Sequence, residues 1–335
     1  MVYNFQLIAL KFHETLAGVV TMSQNIIEYL RKEAVNDLFK MTSFNKGWNV
    51  WNQVIKNKVN PLNSTKVINL GDELSNTFRL TGVIGRSQSE VSGAGNAWEA
   101  LVCWYLNLCL IGSRTVVVKQ KKELIPEPIR QALIVSYGTF PSGTESDLVA
   151  ITFPDKNDYI NDKMNISIRN SEGNLVPVST GRNKKFNYKN IVDTLLERDF
   201  SSCEVGVIQC KTNWNDNSQI PMLWDMIYSS NGFSRHSISI GTSAYSIKDL
   251  KKFTYSFVTV PTVDVNQIKQ DNTRVKRVQN LSGGNYWGLP SKASIAYSIK
   301  EIFGKNFSNS SSTSLMSRLN TELSKLSTVY NYFRL

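Results

Sequence analysis

The stretch "EVGVIQCKTNWNDNSQIPMLWDMIY", residues 204–228, decides how the chain is read. Its first residues are apolar or β-branched and predict a buried strand, closed by the polar turn "TNWNDN" and followed by a helix from near Ser218. Side chains alternate along a strand, so Val207, Gln209 and Lys211 face one way while Ile208 and Cys210 face the other. A lysine at the end of a core strand is costly unless an anion meets it. The rest of the chain has to supply that anion.

Upstream, "ESDLVAITFP" (145–154) predicts a second strand, on which Glu145 and Asp147 share a face with Val149. Further upstream, "SGAGNAWEALVCWYLNLCLIGS" (92–113) predicts a buried helix, apolar almost all round, with Asn96 as its N-cap and Gly112 as its stop. Between Val91 and Arg114 the only acidic or basic side chain is Glu99. A lone carboxylate in that setting needs a cation, and Lys211 or a bound metal ion is expected to serve.

An acid on a helix, an acid at a strand end and Gln-x-Lys on the next core strand together resemble the PD-(D/E)xK nuclease superfamily. The resemblance covers about residues 93–227 and rests on Glu99, Asp147, Gln209 and Lys211. It implies a restriction-endonuclease-like α/β fold: a mixed β-sheet core flanked by helices, here with an added N-terminal helical layer. It also implies a magnesium site built by Asp147 and the residue at position 209, a lysine that positions or activates the attacking water, and a helix acid that assists the metal. Gln209 stands where that family usually has Glu, as in the Gln-x-Lys variant of Mrr-type restriction enzymes. Elementary chemistry is compatible with those roles. Mg²⁺ takes oxygen ligands and retains waters, so Asp147, the Gln209 side-chain oxygen and the Cys210 carbonyl suffice, with Glu99 nearby. Glu145 is an alternative to Asp147.

Elsewhere, residues 5–60 read as helical with a break near "NPLNST". "TVVVK" (115–119), "ALIVSYGTF" (132–140), "HSISIG" (236–241) and "FTYSFVTVPT" (253–262) read as strands or short β-branched runs. "SEGN" (171–174) marks a turn, and "IVDTLLERDF" (191–200) a short helix. A polar, basic segment from residue 264 leads to a helix expected at "KASIAYSIKEIF" (292–303), then a serine-rich link and a last helix over 315–333. Strands alternate with helices, so an α/β or α+β architecture follows. The expected regions are 1–85 (helical), 86–263 (catalytic core) and 264–335 (basic segment and C-terminal helices packed on the core).

With 38 Lys and Arg against 27 Asp and Glu, the net charge of +11 points to a polyanionic partner. Double-stranded DNA is the expected one. Candidate phosphate contacts are Lys119, Lys121 and Lys122; Arg182, Lys184, Lys185 and Lys189; and Arg274, Lys276 and Arg277. Asn213, Trp214 and Asn215, just after Lys211, are candidates for base contact. Two histidines, His13 and His236, make a histidine-rich metal site impossible. Cys103, Cys109, Cys203 and Cys210 lack zinc-type spacing and are expected as buried free thiols. Neither a signal peptide nor a membrane span is expected, which favours the cytoplasm. The expectation is a Mg²⁺-dependent type II restriction endonuclease, homodimeric on a symmetric site, with a cognate DNA methyltransferase in the host. The alternatives are a structure-specific repair or defence nuclease and a non-catalytic DNA-binding protein.

Overall fold

The structure is a computed structural model and describes residues 24–81, 88–120, 123–143, 146–212, 218–230, 232, 237–261, 264–308 and 312–335. Among the described residues four α-helices come first: α1 (Ile26–Leu38), α2 (Thr42–Val59), α3 (Ser64–Asn69) and α4 (Leu74–Arg79). Asn25 caps α1 by accepting from the Glu28 amide at 2.8 Å. The long helix α5 (Gln88–Cys109) leads into β1 (Thr115–Lys119). Between them Gly112 adopts φ of 69°, which lets the chain reverse where a side chain would be strained.

The chain continues through α6 (Glu127–Ala132), β2 (Val135–Tyr137), β3 (Phe140–Gly143), β4 (Leu148–Thr152) and α7 (Asn157–Ile160). Next come β5 (Ser179–Thr180), β6 (Lys185–Phe186), α8 (Tyr188–Asp199), β7 (Glu204–Lys211) and α9 (Gln219–Ser230). The last elements are β8 (Ile238–Ile240), β9 (Lys252–Thr259), α10 (Thr273–Val278), β10 (Asn285–Trp287), β11 (Tyr297–Ser298), α11 (Ile302–Asn306) and α12 (Ser312–Leu323).

These elements form a mixed α/β fold around a six-stranded sheet of order β1-β4-β7-β9-β10-β11. β1, β4 and β7 pair antiparallel. β9 lies parallel to β7, and β10 and β11 continue parallel. A parallel neighbour needs a crossover, and α9 supplies it between β7 and β9. One face of the sheet, through Val117, Leu148, Ala150, Ile208 and Cys210, packs on α5 and a helical layer rich in Trp48, Trp51, Trp98 and Trp104. The other face, through Val116, Val149, Val205 and Val207, packs on α1, α6 and α8. Both faces are covered, which explains why β4 and β7 read as unbroken apolar runs. No helix among the described residues is long and apolar enough to cross a membrane.

Three local expectations are corrected. Helix α5 begins at Gln88, so Asn96 lies inside it and does not cap it. Burial of Ala94, Ala97 and Trp98 against the core carries the helix through the glycines that suggested a start. The helix expected over 292–303 is reduced to a 3₁₀ turn at Ile299–Glu301 that leads into α11. Its first half turns at Ser294 (φ 60°) and then pairs as β11 with β10, with the Asn285 amide holding the Ile295 carbonyl at 2.8 Å. The last helix starts within the serine run and stops at Leu323, after which the chain packs Phe333 beneath Trp104, whose indole N–H donates to its carbonyl at 3.2 Å. The segment after residue 264 supplies β10 and β11 to the central sheet.

Candidate active site

The antiparallel register pairs Leu148 with Ile208 and Val149 with Val207. One step further along that register, Asp147 stands opposite Gln209. Asp147 shares its face with Val149, and Gln209 and Lys211 share theirs with Val207, so the three expected residues converge where β4 begins and β7 ends. The Lys211 Nζ lies 3.9 Å from Asp147 Oδ2. Asp147 is held twice: its carbonyl accepts from the Gln120 amide at 3.2 Å, and its Oδ2 accepts from the Cys210 amide at 2.6 Å. The N–H and C=O of one strand residue point the same way, so the Cys210 carbonyl also faces the Asp147 side.

Glu99 reaches the same end of the sheet from the opposite face. Its carboxylate pairs with Lys119, the last residue of β1, a cation that the sequence did not suggest for it, while Lys211 also acts on it electrostatically. Lys119 is therefore part of the site, where sequence reasoning placed it among phosphate-tracking surface lysines. Burial, then the charge of Asp147, raise the Glu99 pKa above the ordinary carboxylate value, against the pull of Lys119 and Lys211. Two acids and two lysines thus alternate around the strand ends. Lys211 and Asp147 are both about four-fifths buried, so their attraction is only partly screened.

Gln209 departs from its expected role in one respect. The residue is fully buried and its Oε1 accepts from the Tyr255 hydroxyl of β9 at 2.8 Å, while Nε2 has no partner. A buried donor without a partner is costly. The two ends of an amide are nearly isosteric, and a half-turn places Nε2 on the Tyr255 oxygen and leaves Oε1 as the free end. In that orientation Gln209 offers an oxygen, which is what a hard divalent cation takes. Tyr255 was missed from sequence; it occurs in a run, "FTYSFV", whose apolar context conceals the hydroxyl. Tyr255→Phe is expected to remove the hydrogen bond that holds the Gln209 side-chain amide, in either orientation of that amide, and to lower unfolding stability by about 1–2 kcal/mol in urea titration.

Among the described residues no group of three or more His, Cys, Asp or Glu is placed to hold a metal ion. The oxygen donors at the strand ends are the Asp147 carboxylate, the Cys210 carbonyl and the Gln209 amide, with Glu99 alongside. All four cysteines are free and buried, and burial pushes the Cys103 and Cys203 thiols up to about 12.

The other candidates are dispersed. Arg182, Lys184 and Lys185 are exposed on the β5–β6 hairpin, whose Phe186 packs on Tyr29 of α1 at 5.0 Å. Lys189 pairs with Asp193 at 2.7 Å. Arg274, Lys276 and Arg277 lie on α10, which packs against α9, and of these Lys276 is exposed. Lys121, Lys122, Glu145, Asn213, Trp214, Asn215 and His236 lie outside the described residues. No protein-family model matches the chain, and comparison with curated proteins finds no significant match.

Proposed function

We propose that the protein is a Mg²⁺-dependent endonuclease that hydrolyses double-stranded DNA at specific sites, with a restriction-endonuclease-like core of PD-(D/E)xK type. The observation that carries this reading is the meeting of Asp147, Gln209 and Lys211 at one sheet end, with the Lys211 ammonium 3.9 Å from Asp147. The mixed sheet and its flanking helices are of the kind that the resemblance implies. Net charge of +11 favours a polyanionic substrate over a neutral one.

In this reading Asp147, the Cys210 carbonyl, the Gln209 side-chain oxygen and Glu99 would hold Mg²⁺, which when bound would neutralise phosphate charge and lower the pKa of a coordinated water. Asp147 keeps its orientation through the Cys210 amide. Lys211 meets the scissile phosphate and stabilises negative charge as it develops, or orients the water that attacks. Lys119 neutralises Glu99 until substrate arrives. Gln209 brings oxygen without charge, so the site depends more on the substrate phosphate than one with a third carboxylate. Cutting both strands of a symmetric site favours a homodimer, and a host that tolerates such an activity needs a cognate methyltransferase.

The test is incubation of the purified protein with long sequenced DNA in Mg²⁺, beside an EDTA control. Discrete fragments that vanish in EDTA are the expected result, and their ends give the recognition sequence. A smear that depends on Mg²⁺ would favour the structure-specific or non-specific nuclease, whereas salt-sensitive binding with no cleavage of several unmodified DNAs would favour the binding protein. Without Mg²⁺, Glu99 loses its charge at higher pH than a free carboxylate does, so Mg²⁺ binding, followed as the rise in melting temperature with added Mg²⁺ at a series of pH values, should already weaken above the ordinary glutamate range as pH falls.

A further inference from the structure

The two most exposed large hydrophobic residues among those described are neighbours. Tyr137 is 64% exposed and Phe140 69% exposed, and they face each other as the last pair of the β2–β3 hairpin. Between them only Gly138 and Thr139 form the turn, with Gly138 at φ of 59°, as a tight two-residue hairpin requires. The hairpin is braced: β8 pairs with β2 on its other side, and the Gly138 amide donates to the Ser237 carbonyl at 2.6 Å. It is therefore a stiff projection tipped with two aromatic rings.

Its base lies beside the strand-end site. Val135 and Ile240 belong to the apolar cluster on the Gln209 face of the sheet. Tyr228 of α9 donates to the Leu133 carbonyl at 3.1 Å, and its ring lies 5.8 Å from that of Tyr255, the partner of Gln209. The outgoing strand β3 ends at Gly143, and four residues later the chain reaches Asp147. From Phe140 at the tip, the seven residues to Asp147 span at most about 25 Å, a distance that a duplex covers in about seven base pairs along its axis. A helix of DNA seated on Asp147 and Lys211 is within reach of the tip.

Size decides what the tip fits. Two aromatic rings present roughly 300–500 Å² between them. A stable dimer interface needs about 800 Å² from each partner, and the flanking Ser136, Thr139 and Ser142 are polar. A narrow apolar wedge among hydroxyl groups suits insertion between stacked bases, as apolar side chains do in proteins that bend DNA. We infer that the Tyr137–Phe140 tip inserts into the base stack of the DNA bound at the Asp147–Lys211 site, unstacking one step and fixing the position of the duplex. This rests on the nuclease reading and adds to it a residue pair that governs substrate distortion.

The experiment compares the wild type with Tyr137→Ser/Phe140→Ser. Both side chains are solvent-exposed, so an unchanged melting temperature is expected and verifies folding. Cleavage of DNA carrying the mapped site is measured first. Then, in the Asp147→Asn background, short duplexes with that site and 2-aminopurine at successive adenines report unstacking by fluorescence. The expected result is a several-fold rise at one step with the intact tip, its loss in the double variant, and a drop in cleavage rate of at least 10-fold. Equal cleavage and equal fluorescence with and without the rings would overturn the inference and leave the nuclease standing. A change from dimer to monomer in the double variant, with fluorescence unaltered, would overturn it in favour of a protein contact. If the wild type cuts no DNA, the nuclease reading fails on that measurement alone and the inference fails with it.

Discussion

Lys211→Met should leave the protein folded and remove DNA cleavage almost entirely. The substitution keeps the apolar stem and deletes the ammonium that stands 3.9 Å from Asp147. Both partners are about four-fifths buried, so deleting the ammonium leaves Asp147 less compensated and should cost about 1–3 kcal/mol, lowering the melting temperature by a few degrees without unfolding the protein. A group that orients the attacking water or stabilises developing charge contributes about 10²- to 10⁴-fold in rate, and that loss should appear in kcat with DNA affinity nearly unchanged. The same assay on Asp147→Asn should show the same loss, because the amide can still accept from the Cys210 N–H but no longer offers a charge. Mg²⁺ should raise the melting temperature of the wild type and not of Asp147→Asn, since a ligand bound only by the folded state stabilises it. Retained cleavage in Lys211→Met, with discrete products, would remove Lys211 from the chemistry and transfer the question to Lys119.

That second lysine illustrates what the sequence could and could not convey. Alternation within each strand was enough to put Gln209 and Lys211 on the face of Val207 and Asp147 on the face of Val149, because the period of a strand is a property of the backbone, and the pairing of Val149 with Val207 makes those two faces one. Isolation of Glu99 among Trp, Leu and Ala was enough to demand a cation. Which cation it meets depends on the order of strands in the sheet. β1 lies at the edge next to β4, and its register sets Lys119 on the α5 side, opposite Leu148. Periodicity within one segment carries no information about that order. The failed helix at 292–303 has a related cause: Ile295, Ala296, Ile299, Ile302 and Phe303 recur at helical spacing, yet the first two serve a turn and strand that exist only because β10 is there to pair with.

Arg31→Leu should cost about 3–5 kcal/mol of stability, the largest effect expected of any single change outside the aromatic core. Arg31 is fully buried, and its guanidinium donates to Glu28 Oε2 at 3.0 Å, the Thr115 carbonyl at 3.0 Å, the Ser113 carbonyl at 2.9 Å and Asn107 Oδ1 at 3.4 Å. Glu28 in turn accepts from the Gly112 amide at 3.0 Å. Asn107 completes the arrangement, bonding both the N–H and the C=O of Val117 at 3.1 and 2.6 Å. These side chains together occupy the outer edge of β1, which would otherwise offer unpaired backbone groups to another chain. Leucine takes the guanidinium from the half-buried Ser113 carbonyl, from the buried Thr115 carbonyl, which keeps the Ser113 hydroxyl at 3.3 Å, and from the Glu28 carboxylate, which keeps the Gly112 amide, and no rearrangement of an apolar side chain replaces it. Glu28→Gln combined with Arg31→Leu removes the stranded charge and should cost less than the two single changes added together. The signal was present in "IIEYLRKEAVNDL": Glu28 and Arg31 share the helical stripe of Val35 and Leu38, where charges belong only if they meet each other or a backbone. The edge that Arg31 fixes at Thr115 is the same five-residue strand that carries Lys119 to Glu99. Urea titration of Arg31→Leu should therefore show early unfolding, and cleavage measured below that transition should fall as well. A cost under about 1 kcal/mol would mean that water or a neighbouring donor satisfies these carbonyls and that the strand edge is held by packing alone.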